Sequence, residues 1–173
     1  RLEGLRDEIL AAHPERRVEL RALDVTDDDQ VFEVFGAFRD DFGTIDRVIV
    51  NAGLGKGAPI GTGRYDANRQ TAMTNFVAAL AQTEAAMEIF RAQKRGHLVF
   101  ISSMSALRGM PKALNVYAAT KAGVANLAEG GASRQLLHVD SAEPLLCPRR
   151  HRRRAHVSNP DPIRNVRAEN ADD

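Results

Sequence analysis

Two short apolar runs, Val48-Ile-Val50 and Leu98-Val-Phe-Ile101, constrain the fold more than anything else in this chain. Both are too short for a buried helix, and neither alternates with polar residues. Runs of this kind suit strands covered on both faces, as in a parallel sheet. The residues between them, Tyr65 to Gln93, read as one long helix with Gly96 as its stop. A second such helix is predicted over Asn115 to Glu129, where Gly130-Gly131 breaks the pattern.

The earlier residues repeat the alternation. Leu2, Leu5, Ile9 and Leu10 recur at helical spacing, and Arg17 to Ala22 alternates like a strand that Leu23 closes. Thr26 is the expected N-cap of the next helix. Asp27, Asp28 and Asp29 fall in its first turn, where the helix dipole favours acids. Val31, Val34, Phe35 and Phe38 give it a buried stripe, and Gly43 ends it. Alternating strand and helix predicts a parallel sheet flanked by helices on both faces.

Composition excludes several classes. With 173 residues and 43% apolar content, the chain has the makings of about one domain. A net charge of +1 names no partner, and a single cysteine, Cys147, excludes a disulfide framework. No histidine pair has metal-ligand spacing, so no metal site is expected. No apolar run approaches the ~20 residues of a membrane span, and a cytoplasmic setting is the default expectation. Residues 131–173 differ from the rest. They hold Pro144, Pro148, Pro160 and Pro162, the basic run Arg149 to Arg154, and no aromatic residue. Their composition predicts a divergent, disordered tail after a domain over residues 1–130.

Chemistry is suggested first by Tyr117-Ala-Ala-Thr-Lys121. Four residues apart on a helix, the two side chains share a face. A tyrosine hydroxyl is a poor acid or base at neutral pH, and an adjacent ammonium stabilises its phenolate. Ser103 follows the second apolar run, with Ser102 and Ser105 as neighbours, and Asn51-Ala-Gly53 follows the first. Lys56 lies in a glycine-rich loop from Gly53 to Gly63 that lacks the remainder of a phosphate-binding P-loop. The loop reads as a flexible substrate-side segment.

Taken in order, these motifs resemble the short-chain dehydrogenase/reductase family, in its single-domain hydroxyl/carbonyl oxidoreductase branch, from Arg1 to about Glu129. Asp24-Val25-Thr-Asp27 is similar to the family's acidic turn after the third strand, and Asn51-Ala52-Gly53 to its turn after the fourth. Asn75, Ser103, Tyr117 and Lys121 match the catalytic tetrad. The resemblance implies an α/β fold, a partial Rossmann-type doubly wound parallel sheet. It implies NAD or NADP as cofactor, held by Asp24, Val25, Asn51, Ala52, Gly53, Tyr117 and Lys121. The implied reaction is hydride transfer between that nicotinamide and a small carbonyl or secondary alcohol. Tyr117 would be the general acid or base, Ser103 would bond the substrate oxygen, and Lys121 would support Tyr117 and the nicotinamide ribose. Asn75 would hold a relay water. The family also implies a homo-oligomer built through the two long helices, with no nucleic-acid or membrane partner.

The sequence departs from the family at both ends. No first strand, glycine-rich turn and helix precede Arg1, and that unit binds the pyrophosphate. The first two family strands would lie between Arg17–Leu23 and Ile45–Val50, so the chain is expected to be N-terminally truncated and impaired in cofactor binding. Leu146-Cys-Pro148 falls near the family's Pro-Gly turn, with Arg149 where glycine is expected. A shifted reading frame of GC-rich DNA would give such a tail; the absence of a family-like continuation in every other frame of the coding DNA would overturn that reading. Two further readings remain: a non-catalytic remnant, and a binding module that uses Arg149 to Arg154 on acidic partners.

Overall fold

The computed structural model describes residues 1–131. The expected tail, with Leu146-Cys-Pro148 and Arg149 to Arg154, lies outside the described residues. Within them the order is α1 (Leu2–Ala12), α2 (Asp28–Phe42), β1 (Arg47–Val50), α3 (Tyr65–Ala72), α4 (Ala78–Gln93), β2 (His97–Phe100) and α5 (Asn115–Gly131). A π-helical turn, Met73–Val77, joins α3 to α4, and two 3-10 turns, Met104–Leu107 and Lys112–Leu114, lie between β2 and α5.

The two apolar runs pair as a parallel ladder, Arg47 with His97 through Val50 with Phe100. The parallel pairing that the alternation predicts is realised, in the α/β, Rossmann-like arrangement that the resemblance implies, but the described helices cover one face and not the two expected. Val50, Leu98 and Phe100 share one face and pack on Ala79, Ala86, Ile89 and Phe90 of α4 and Val124 and Ala128 of α5. Alanines on α4 let its backbone approach the sheet closely. Gly123 brings α5 equally near the π turn, since a Cβ there would touch the Phe76 ring at 3.0 Å. The opposite face is open among the described residues: Ile49 is 56% exposed, and α1 buries no residue.

Two side-chain amides from the α3–α4 rod hold the ends of β1. Gln93 donates to the Ile45 carbonyl at 2.5 Å and accepts from the Ile45 N–H at 3.3 Å. Asn75 does the same to Leu54, accepting from its N–H at 2.6 Å and donating to its carbonyl at 3.0 Å. Each amide reproduces the donor–acceptor pair a neighbouring strand would offer.

Several local expectations are corrected. Arg17–Leu23 carries no strand ladder, because no described strand lies beside it to supply partners. It is tied to α2 instead: Arg17 and Arg21 both pair with Asp41, and their guanidinium groups stand over the Phe42 and Phe38 rings at 5.0 and 5.4 Å. The α2 N-cap is Asp27, which accepts from the Gln30 N–H, while the Thr26 hydroxyl is spent on Asp24. Gly43 ends α2 at φ +73°, as expected. The long helix is interrupted by the π turn and stops at Lys94, whose left-handed φ of 59° breaks the helix two residues before Gly96.

Candidate functional site

β1 and β2 end side by side, so the loops that follow them meet above the N-terminal half of α5. Parallel strands make such a crevice at their carboxyl ends. Here it is a cleft of about 320 Å³, lined by Asn51, Gly53, Leu54, Gly55, Ile101, Ser102, Leu114, Tyr117 and Lys121.

Lys121 is its floor. The side chain is only 5% exposed, and its ammonium donates to the Ile101 carbonyl at 2.8 Å. Burial pushes its pKa below the ordinary lysine value. The Nζ lies 6.0 Å from the centre of the Tyr117 ring, so the expected juxtaposition on one helical face is realised. Gly53 leaves the ammonium accessible from the cleft: a Cβ on Gly53 would stand 3.4 Å from Lys121 Nζ and 3.7 Å from Asn75 Oδ1.

Asn75 is 1% exposed, at the centre of the π turn. Such turns insert one residue into a helix and recur at functional sites. Besides clamping Leu54, its amide donates to Thr120 Oγ1 at 3.2 Å, and Thr120 donates to the Tyr117 carbonyl at 2.7 Å. Thr120 was missed in the sequence, though it stands between Tyr117 and Lys121 on a helix whose inward positions are otherwise small or apolar. Leu54 and Leu114 went unassigned too, for want of any polar group to draw notice.

The adjacent serines are sorted by direction. Ser102 donates to the Lys121 carbonyl at 3.0 Å. Ser103 turns away from that bond and caps the Met104–Leu107 turn, where its Oγ accepts from the Ser105 N–H and hydroxyl. The loop read as flexible is pinned at two points, by Asn75 at Leu54 and by Asn68 Oδ1 at the Ala58 N–H, 2.8 Å away. Gly57 is pressed so close to Ala113 that a Cβ would overlap its carbonyl oxygen.

The remaining residues assigned to cofactor binding lie apart from the cleft lining. Asp24 is exposed near the α2 N-terminus, its carboxylate held below the usual range by the N–H and hydroxyl of Thr26. Val25 is half-buried beside it, and Ala52 is half-buried between two lining residues.

Known proteins resemble this chain in sequence and in fold. The sequence profile of the short chain dehydrogenase family matches residues 1–138. The chain belongs to that family. An uncharacterized oxidoreductase of Mycobacterium tuberculosis is 46% identical over 129 residues, covering 75% of this chain and 51% of that protein. A short-chain dehydrogenase crystal structure from Mycobacterium smegmatis superposes with a TM-score of 0.69 at 29% identity, over 76% of this chain and 54% of the other. The NADPH-dependent 3-quinuclidinone reductase of Rhodotorula rubra gives 0.73 at 25% identity, over 80% and 53%. This short-chain dehydrogenase chain thus spans about half the length of the curated relatives it matches. Among its described residues no helix is long and apolar enough to cross a membrane, and no cluster of metal-ligating side chains occurs.

Proposed function

We propose that this chain carries the proton-handling centre of an NAD(P)-dependent oxidoreductase acting on small carbonyls or secondary alcohols. The observation that carries the reading is Lys121: buried, bonded to Ile101, placed under Tyr117, and bordering the cleft beside Gly53. An ammonium has three donors, and one is used by Ile101. The other two and the bare backbone of Asn51–Gly53 fit the hydroxyls of a nicotinamide ribose, as the NADPH dependence of the quinuclidinone reductase supports. A bound nicotinamide dinucleotide supplies or accepts the hydride. The chain's own residues manage the proton: Tyr117 gives it to the developing alkoxide or removes it from the alcohol, and Lys121 favours the phenolate. Ser103 donates to the substrate oxygen, since Ser102 has spent its proton on Lys121. Asn75 fixes the loop against α5 and would hold a relay water.

Asp24 and Val25 would meet the cofactor at the far end of the α2 approach. We place the centre in a unit over residues 1–130, in a reducing cytoplasmic setting that a single cysteine fits. Exposed Val77 and Leu80, both on the first of the two long helical segments, support a homo-oligomer. Sedimentation of the chain would read it, and a monomer would refute it.

The test is oxidation of NADPH or NADH by the 173-residue chain with a small ketone, followed by nicotinamide absorbance. Tyr117→Phe is expected to lower the rate by about 10²-fold or more. Turnover untouched by that substitution would refute the reading. A second expectation rests on the exposure of Ile49 and the open edge of β1 among the described residues: this chain binds dinucleotide poorly or not at all, because the two described strands offer little to hold the pyrophosphate end. Calorimetric titration detecting micromolar binding of NAD(H) or NADP(H) would overturn it.

A further inference from the structure

We propose that Ser105 is a positioning residue that makes Ser103 a dedicated hydrogen-bond donor; the inference rests on the reading of Ser103 just given. A serine hydroxyl has one proton to donate and two lone pairs to accept with. Ser103 Oγ accepts the Ser105 N–H at 3.2 Å and the Ser105 hydroxyl at 2.9 Å. When the Ser105 hydroxyl is the donor, both acceptor positions are filled from one residue. The Ser105 hydroxyl oxygen, 2.9 Å away, is an acceptor within reach of the Ser103 proton, so a ligand oxygen that takes that proton leaves the Ser105 hydroxyl as donor to Ser103.

The arrangement is held from both sides. Ser103 emerges from β2 with extended backbone, φ −158° and ψ 153°. Ser105 is fixed by the turn that Ser103 itself caps, closed by the Ala106 N–H on the Ser103 carbonyl at 2.9 Å. Two bonds received on the oxygen polarise its O–H and strengthen the bond it gives. The ligand atom that meets Ser103 must then be an acceptor. A carbonyl oxygen or the lone pair of an alcohol oxygen satisfies it, and an ammonium group does not. Ser105 thus helps to select the oxygen as the atom that is bound, without touching the substrate.

The experiment uses the full chain with NADP⁺, which cannot reduce a ketone, and cyclohexanone labelled with ¹³C at the carbonyl. A hydrogen bond to the carbonyl oxygen moves the bound ¹³C resonance downfield. The wild type is expected to show that displacement, Ser103→Ala to lose the part that Tyr117 does not supply, Ser105→Ala to lose roughly 10–30% of the Ser103 part, and Ser105→Thr to keep it. In the NADPH assay Ser105→Ala is expected to lower kcat roughly 5- to 20-fold with KM for the ketone little changed. Ser105→Ala equal to wild type in both readouts overturns the inference and leaves the proposed function standing. A loss that Ser105→Thr fails to restore places the effect in the turn and also overturns it. A wild type with no displaced resonance, or turnover indifferent to Tyr117→Phe, overturns the proposed function and this inference with it.

Discussion

Replacing Asn75 by alanine tests whether one buried amide holds the cleft together. Its side chain makes three hydrogen bonds, to the Leu54 N–H, the Leu54 carbonyl and Thr120 Oγ1. Alanine leaves all three groups without that partner, and an unpaired buried polar group costs about 1–3 kcal/mol. Leu54 is half-buried and borders the cleft, so water replaces part of what it loses. The expected net loss is about 2–4 kcal/mol, a large share of the ~5–15 kcal/mol by which a domain is stable. With a urea slope of about 2 kcal/mol per molar, the unfolding midpoint falls by roughly 1–2 M. The chain has no tryptophan, so far-ultraviolet circular dichroism is the readout. Thr120→Val supplies the scale: it removes the hydroxyl between Asn75 and Tyr117 and is expected to cost about 0.5–1.5 kcal/mol. Asn75→Asp keeps the acceptor for the Leu54 N–H but turns an oxygen toward the Leu54 carbonyl, so it should be no milder than alanine. Asn75→Ala within ~0.5 kcal/mol of wild type, or milder than Thr120→Val, would refute the reasoning.

Two further outcomes follow from the same geometry. Gly57→Ala is expected to destabilise by about 1–3 kcal/mol, because the new Cβ meets the Ala113 carbonyl, while Gly55→Ala, with open space around it, leaves the midpoint unchanged; equal effects in urea would contradict the packing. For Lys121, burial lowers the folded pKa below the ordinary 10.5, so between the two values the unfolded chain binds more protons and stability rises with pH. Lys121→Met should remove that rise when midpoints are compared from neutral pH up to the titration of free lysine, and an unchanged pH profile would contradict it.

The sheet was legible because Val48–Val50 and Leu98–Phe100 are apolar at consecutive positions, and only a covered strand uses that pattern in so short a run. Gly43 was legible because left-handed backbone selects glycine. The α2 cap was misread by one residue because Thr26 and Asp27 are both good caps, and the choice turned on Asp24 taking the Thr26 hydroxyl. Arg17–Leu23 has the alternation of a strand, but a ladder needs a partner, and alternation says nothing about who is beside it. The π turn left no local sign, since Met-Thr-Asn-Phe-Val propagates an ordinary helix equally well. Tyr117 and Lys121 could be paired from spacing alone. Thr120 could not, because its role depends on Asn75, far away in sequence and adjacent only once α5 docks.

The register of the ladder sets an order of events. Arg47 pairs with His97, fifty residues on, so closing the sheet means closing a long loop, whereas each helix forms from neighbours in sequence. Every loop that builds the cleft hangs from the end of one strand or the other. The cleft therefore completes only when this slow closure does, and it dissolves when the closure is undone. A chain can keep most of its helical signal after the cleft has gone, so helicity and competence are separate observables in this protein.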